Sequence, residues 1–166
     1  MMRVALALLL LAGSLAAAGE DLAARLRAAS LPSTPPARLE QLAGDEDWRV
    51  REALARRQTA PPEILIRLAS DPDPRVRAAV AHNLRAPRQA LEPLVADPAE
   101  EVRYSLAHCG YTPGDILERL AEDPSLRVRM QLVLNPNLPL DVLRRLAEGD
   151  DEVADRARAV LAERAP

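Results

Sequence analysis

The sequence contains no lysine and no phenylalanine, and only one cysteine, one tryptophan, two tyrosines and two histidines among its 166 residues. A lone Cys109 cannot build a disulfide framework, and it leaves no Cys-x-x-Cys pair for a metal or redox centre. The thiol is expected to be buried and to act as a small hydrophobe. Without lysine, arginine carries all the fixed positive charge. The formal net charge is −3, and one unit more negative once Arg3 is set aside. Such mild acidity lacks the basic footprint of a phosphate-backbone binder, so nucleic acid is not an expected partner. His82 and His108 could share a metal with Glu101, but zinc takes three or four ligands and no further histidine is available. No Gly-rich phosphate loop, His-Glu-x-x-His or nucleophile–base set is present, so the sequence predicts a protein that is not an enzyme and carries no cofactor.

The one long apolar run is short. It extends from Val4 to Ala12, preceded by Arg3 and followed by Gly13-Ser14 and Ala16-Ala17-Ala18. That pattern reads as a secretory signal peptide over residues 1–18, since a membrane span needs about 20 apolar residues. No cysteine follows the small residues to take a lipid. The expected mature protein is exported, to the periplasm or the medium, with no membrane span.

What is abundant is periodic. Asp recurs at 45, 71, 97 and 123, Val at 50, 76, 102 and 128, Arg at 51, 77, 103 and 129, Pro at 35, 61, 87, 113 and 139, and Leu at 42, 68, 94, 120 and 146. The period is 26 residues. A fixed repeat of that length predicts an all-α solenoid, in which each two-helix unit buries its apolar face only by stacking on the next. Residues 19–33 are expected to form a capping helix and a Pro-rich linker. Residues 34–166 are expected to form about five repeats.

Within each unit the first helix is expected to begin with the periodic proline at its first position, with Thr34 and Thr112 as N-caps. Leu65 with Leu68, and their periodic equivalents, should face inward. The second helix is capped by Asp47, Asp73 or Ser125, with Ala99 the weak copy, and Val76, Ala79 and Val80 form its inward stripe. Asn83, Asn135 and Gly110 are expected to supply left-handed backbone at helix ends. After Leu146 the phase loosens and charges multiply, as a terminal unit facing water requires.

The segment Leu68-Ala69-Ser70-Asp71 leading to Val76-Arg77, behind a Pro-led helix, resembles the HEAT-type repeat. Asn135-Pro136-Asn137-Leu138-Pro139 leading to Leu143 and Leu146-Ala147 resembles the leucine-rich repeat variant more closely still. The resemblance spans Thr34 to about Leu161. It implies a binding scaffold with one helix of each pair able to be three-ten, and leaves open which one. One relative of that family carries an iron–sulfur cluster in a Cys-rich segment, for which Cys109 alone cannot provide ligands.

The Asp and Arg series, six residues apart in every copy, are expected to form a structural ladder within or between repeats, with Asp151 outside its phase. Helix periodicity then leaves an outward stripe: Arg49, Glu52 and Arg56, then Arg75, Ala78 and His82, then Glu101, Tyr104 and His108, then Arg127, Met130 and Leu134. Arg, Tyr and Met are types enriched at interfaces. The stripe is therefore the candidate site for a protein or peptide partner, with an ordinary solvated helix face as the competing reading. Tyr104 is expected to point away from a core side formed by Val102, Ser105 and Leu106. Self-association is the alternative, with Cys109, Met130 and Leu134 as its seam; a metal-dependent activity would rest on His82, His108 and Cys109.

Overall fold

The computed structural model describes residues 20–164; the expected signal peptide at 1–18, and Gly19, lie outside the described residues. The chain alternates between two helical layers. One layer holds α1 (Leu22–Ser30), α3 (Trp48–Arg56), α5 (Pro74–Ala81), α7 (Glu100–His108), α9 (Leu126–Val133) and α11 (Glu152–Arg164). The other holds α2 (Pro36–Leu42), α4 (Pro62–Leu68), α6 (Arg88–Leu91), α8 (Gly114–Arg119) and α10 (Leu140–Ala147). Each second helix packs on the second helices before and after it, and α1, the first described helix, takes the place of a second helix at the head of the row. The architecture is the α-solenoid with a 26-residue repeat.

Leucine and valine at the periodic positions make one continuous apolar core from Ala29 to Val160. Leu65, Leu68, Val76, Ala79 and Val80 are all buried, as the helical spacing requires. Each fully buried leucine or valine contributes about 1.5–3 kcal/mol of transfer free energy. The three-ten segments fall at the ends of first helices: Glu92–Ala96 follows α6 and Leu120–Glu122 follows α8, while the second helices are α-helical. Pro93 explains the first of these, because a proline inside a helix removes an N–H donor and crowds the preceding turn.

The periodic prolines sit one position earlier than expected. Pro35 has φ −62° and ψ 149°, so it is extended and acts as N-cap rather than as first helical residue. Its carbonyl opens α2 by accepting from the Leu39 N–H at 3.1 Å, as the Pro61 carbonyl accepts from Leu65 at 3.2 Å. Thr34 and Thr112 are therefore not N-caps. Their hydroxyls turn back to the preceding second helix, donating to the Ala28 carbonyl and, at 2.9 Å, to the Leu106 carbonyl.

Two ladders tie neighbouring units together. In the first, each arginine forks onto the aspartate 20 residues ahead: Arg51 on Asp71, Arg77 on Asp97 and Arg103 on Asp123, with Nε–Oδ2 distances of 2.6, 2.6 and 2.7 Å. The same guanidinium donates Nη1–H back to its own unit's aspartate carbonyl, at 2.7 Å from Arg77 to Asp71. The aspartate's Oδ1 meanwhile accepts the N–H two residues on, as Asp97 does from Ala99 at 2.9 Å. Every rung thus closes a turn in one unit and reaches the next. Arg25 extends the series toward the N-terminus, with Nε 3.5 Å from Asp45 Oδ2.

The second ladder runs through the loops. Asn83 is buried, and its Nδ2 donates to the Ala55 and Arg57 carbonyls at 2.6 and 3.0 Å. Asn135 does the same to Ala107 and Cys109, at 2.8 and 3.0 Å. Arg57 occupies the equivalent place one unit earlier and donates to the carbonyls of Ala29, Leu31 and Pro32. These asparagines do not adopt left-handed backbone, and neither does Gly110: positive φ occurs at no described residue. The amide side chain instead satisfies carbonyls that the end of the neighbouring second helix leaves open. Cys109 is buried at the rung between the two asparagines and has no amide to offer.

Asp151 is not outside the ladder. Gly149 occupies the aspartate's periodic position, and the rung slips two residues to Asp151, which lies 3.6 Å from Arg129 with half its side chain exposed. It also accepts the Ala154 N–H at 3.0 Å, near the start of α11.

The rungs are nearly dry at their centre. The Asp97 side chain is 4% exposed and that of Arg77 13%. Burial by itself would push the Asp97 carboxyl up, but the Arg77 hydrogen bond, the Ala99 N–H and the charges of Arg77 and Arg103 together hold it below its ordinary value. Removing one partner strands the other, so Asp97→Ala is expected to destabilise by about 3 kcal/mol in urea unfolding. Asp151→Ala is expected to cost about 1 kcal/mol, the scale of an exposed pair and a helix cap. Because the folded Asp97 pKa is depressed, its contribution is fully present above the ordinary carboxylate value and is lost as pH falls through the folded one. Cys109→Asn restores the missing amide and is expected to stabilise the chain by about 1 kcal/mol in the same measurement.

Candidate binding face on the second helices

The outward stripe occupies α3, α5, α7 and α9, and its two ends behave differently. Toward the N-termini of these helices the arginines are already spent on neighbours. Arg49 and Arg75 turn back onto their own N-cap aspartates, at 2.6 Å to Asp47 and 2.7 Å to Asp73. The Arg49 side chain and backbone hydrogen bonds hold the Asp47 carboxyl down to about 2. Arg75 also lies flat on Trp48 of the preceding helix, 3.4 Å from the ring centroid, a cation–π contact. Arg127 pairs with Glu100 at 3.3 Å and covers the Tyr104 ring at 4.3 Å. Glu101 is exposed beside them.

Toward the C-termini a groove opens. Arg56, Ala78, Ala79, His82, Tyr104, Ser105 and His108 line about 250 Å³, and a second cleft of about 140 Å³ joins it around Arg56, Gln58, Ala79, His82 and Asn83. The His82 and His108 rings stack across α5 and α7 with centroids 5.4 Å apart and planes within 10°. Tyr104 continues the stack at 6.1 Å and 7° from His108. Partial burial, then the neighbouring His108 and Arg56, push the His82 pKa below its ordinary value. Its imidazole therefore stays neutral in the empty groove down to lower pH than a free histidine.

Of the ten stripe residues singled out as partner-binding, the groove gathers Arg56, His82, Tyr104 and His108. Arg49, Arg75, Glu101 and Arg127 lie along the paired end. Met130 is half-buried against the core and Leu134 is 45% exposed at the end of α9. Three expectations change. Ser105 is not on the core side: it lines the groove and donates to the Glu101 carbonyl at 2.8 Å, while Val102, Leu106 and Ala107 fill the core. Tyr104 is half-buried and donates to Gln131 Oε1 at 3.0 Å, so it also ties α7 to α9. Cys109 is 4% exposed, which removes it from any surface seam.

Trp48 and Gln131 were not legible as members of this face. The signal that finds them is an offset of one period plus one: Glu40 with Arg67, Glu100 with Arg127 and Glu118 with Arg145 each pair across 27 residues. Trp48 with Arg75 and Tyr104 with Gln131 share that offset.

Residues 48–73 match the leucine rich repeat variant family, and residues 63–86 match the HEAT repeat. A solved structure described as a leucine-rich repeat variant with a novel repetitive protein structural motif is similar to this chain, at 35% identity and a TM-score of 0.66. The similarity covers 86% of this chain and 57% of that one. The chain is a repeat protein of the leucine-rich repeat variant and HEAT-like kind. It spans somewhat over half the length of that solved relative. No curated protein matches it.

A repeat protein of this kind carries an α-helical scaffold able to offer an extended binding surface. Among the described residues no three of His, Cys, Asp and Glu are placed to hold a metal ion. Among them, too, no helix is long and apolar enough to cross a membrane.

Proposed function

We propose that the chain is an exported, non-enzymatic scaffold that binds a protein or peptide partner along its second helices, with the groove between Arg56 and His108 as the seat. The observation that carries this reading is the groove itself. It holds stacked aromatic rings beside a guanidinium at the middle of the row, on a face where Arg49, Arg75 and Arg127 are folded onto neighbours. Stacked rings and arginine are the side chains that dominate interface energetics when a partner covers them. Export rests on the Arg3, Val4–Ala12 and Ala16-Ala17-Ala18 pattern.

Two measurements test this. Immobilised His82→Ala and Arg56→Ala variants are expected to retain the parent's melting temperature and to lose tenfold or more in capture of partner from the exported fraction. Arg49→Ala, on the paired end, should capture as the parent does. Parental capture by both groove variants would move the seat off this face. Tyr104→Ala is a less clean probe, since truncation also removes the bond to Gln131. For export, the N-terminal residue of the secreted protein is expected at Gly19 or within a few residues of it, and an intact Met1 would contradict the processing.

A further inference from the structure

Arg56, His82, His108 and Leu134 occupy one and the same repeat position on four successive second helices. The row therefore runs from a guanidinium through two imidazoles to an exposed leucine. Neither groove nor adjoining cleft has an acidic side chain in its lining. Glu52 holds Arg56 through Nε and Nη2, at 3.3 and 2.8 Å, which leaves Nη1 to donate outward. The charged and titratable groups facing His82 are Arg56 from α3 and Tyr104 and His108 from α7, with Glu52 behind Arg56 and Glu101 and Arg75 toward the paired end. Helices α4 and α6, packed on the other side of α5, contribute no charged group to the lining.

Resting on the scaffold reading above, we propose that the groove takes an extended acidic segment of a protein partner. Its carboxylates would lie on Arg56, His82 and His108, and an apolar side chain beyond them would meet Leu134. Spacing supports an extended segment. Side chains on the same side of an extended chain recur every ~6.6 Å, and the two imidazole centroids are 5.4 Å apart, a difference that side-chain torsions absorb. Charge supports carboxylates, because the lining holds no acidic side chain, Arg56 keeps Nη1 for a second partner beyond Glu52, and the His82 imidazole gains a positive charge on taking up a proton. A bound carboxylate favours the imidazolium over the neutral ring, so binding draws in protons. The affinity then rises as pH falls through the range in which the His82 ring, neutral in the empty groove, takes up a proton, and declines again once the segment's own glutamates protonate near 4.3.

The test uses the full chain and two fluorescein-labelled peptides, Glu-Ala-Glu-Ala-Glu-Leu and its Gln-for-Glu counterpart, followed by fluorescence anisotropy at pH 8 and pH 6. The acidic peptide is expected to bind tenfold or more tightly at pH 6 than at pH 8, and the glutamine peptide to bind at least tenfold more weakly than the acidic one at pH 6. The His82→Gln, His108→Gln double variant should lose the pH dependence while melting as the parent does, and Arg56→Gln should weaken binding at both pH values. Equal binding of the two peptides, or an acidic peptide indifferent to pH, overturns the proposal. Failure of the acidic peptide to bind, with groove-dependent capture from the exported fraction intact, overturns the acidic chemistry and leaves the scaffold standing. Failure of both overturns both.

Discussion

Everything else in this molecule hangs on the fork between an arginine of one unit and the aspartate 20 residues ahead in the next. A two-helix unit of 26 residues is too small to bury a core alone, and stacking supplies the missing apolar contact without fixing the register of one unit on another. The fork fixes it. Arginine is planar and always charged, so its Nε and Nη2 meet both carboxylate oxygens in one orientation, while Nη1 holds the carbonyl of its own unit. The aspartate, already committed to the N–H that starts the next second helix, cannot turn away. Apolar burial supplies the driving force, and the fork decides where each unit sits.

The fold was legible because its cause is periodic. The inward leucines and valines, the aspartate caps at Asp47 and Asp73, and the arginine and aspartate series all recur at one spacing, and a spacing survives ignorance of the details. What escaped reading was direction. Nothing in the residue type says that Asn83 points back to Ala55 and Arg57 rather than bending its own backbone, because asparagine serves both purposes. The prolines were misplaced by one position for a similar reason: fixed φ suits both the first helical residue and the residue before it. Ser105 was assigned to the core from phase alone, yet its short polar side chain is satisfied on the groove wall by its own helix carbonyl.

The candidate face was half legible. The ten stripe residues do share one face, but periodicity cannot distinguish charges that are neutralised locally from those left to a partner. Arg49 and Arg56 look alike in sequence. Arg49 folds back on its N-cap aspartate, whereas Arg56, at the opposite end of the same helix, pairs with Glu52 through Nε and Nη2 and still borders an open groove beside an imidazole. Helix polarity contributes to the difference: acidic N-caps gather where the second helices begin and draw Arg49 and Arg75 onto themselves.

The slipped rung at Gly149 has a mechanical consequence. In a stack where each unit grips only its neighbours, strength is that of the weakest seam rather than an average over the whole. Arg129 reaches Asp151 at 3.6 Å with half of the aspartate side chain exposed, whereas the three seams from Arg51 to Asp123 close at 2.6–2.7 Å and nearly dry, and the first, Arg25 to Asp45, though 3.5 Å long, is mostly buried. Pulled along its axis, the stack would part first between α9 and α11, shedding that hairpin as a unit while the groove between α3 and α7 stayed intact.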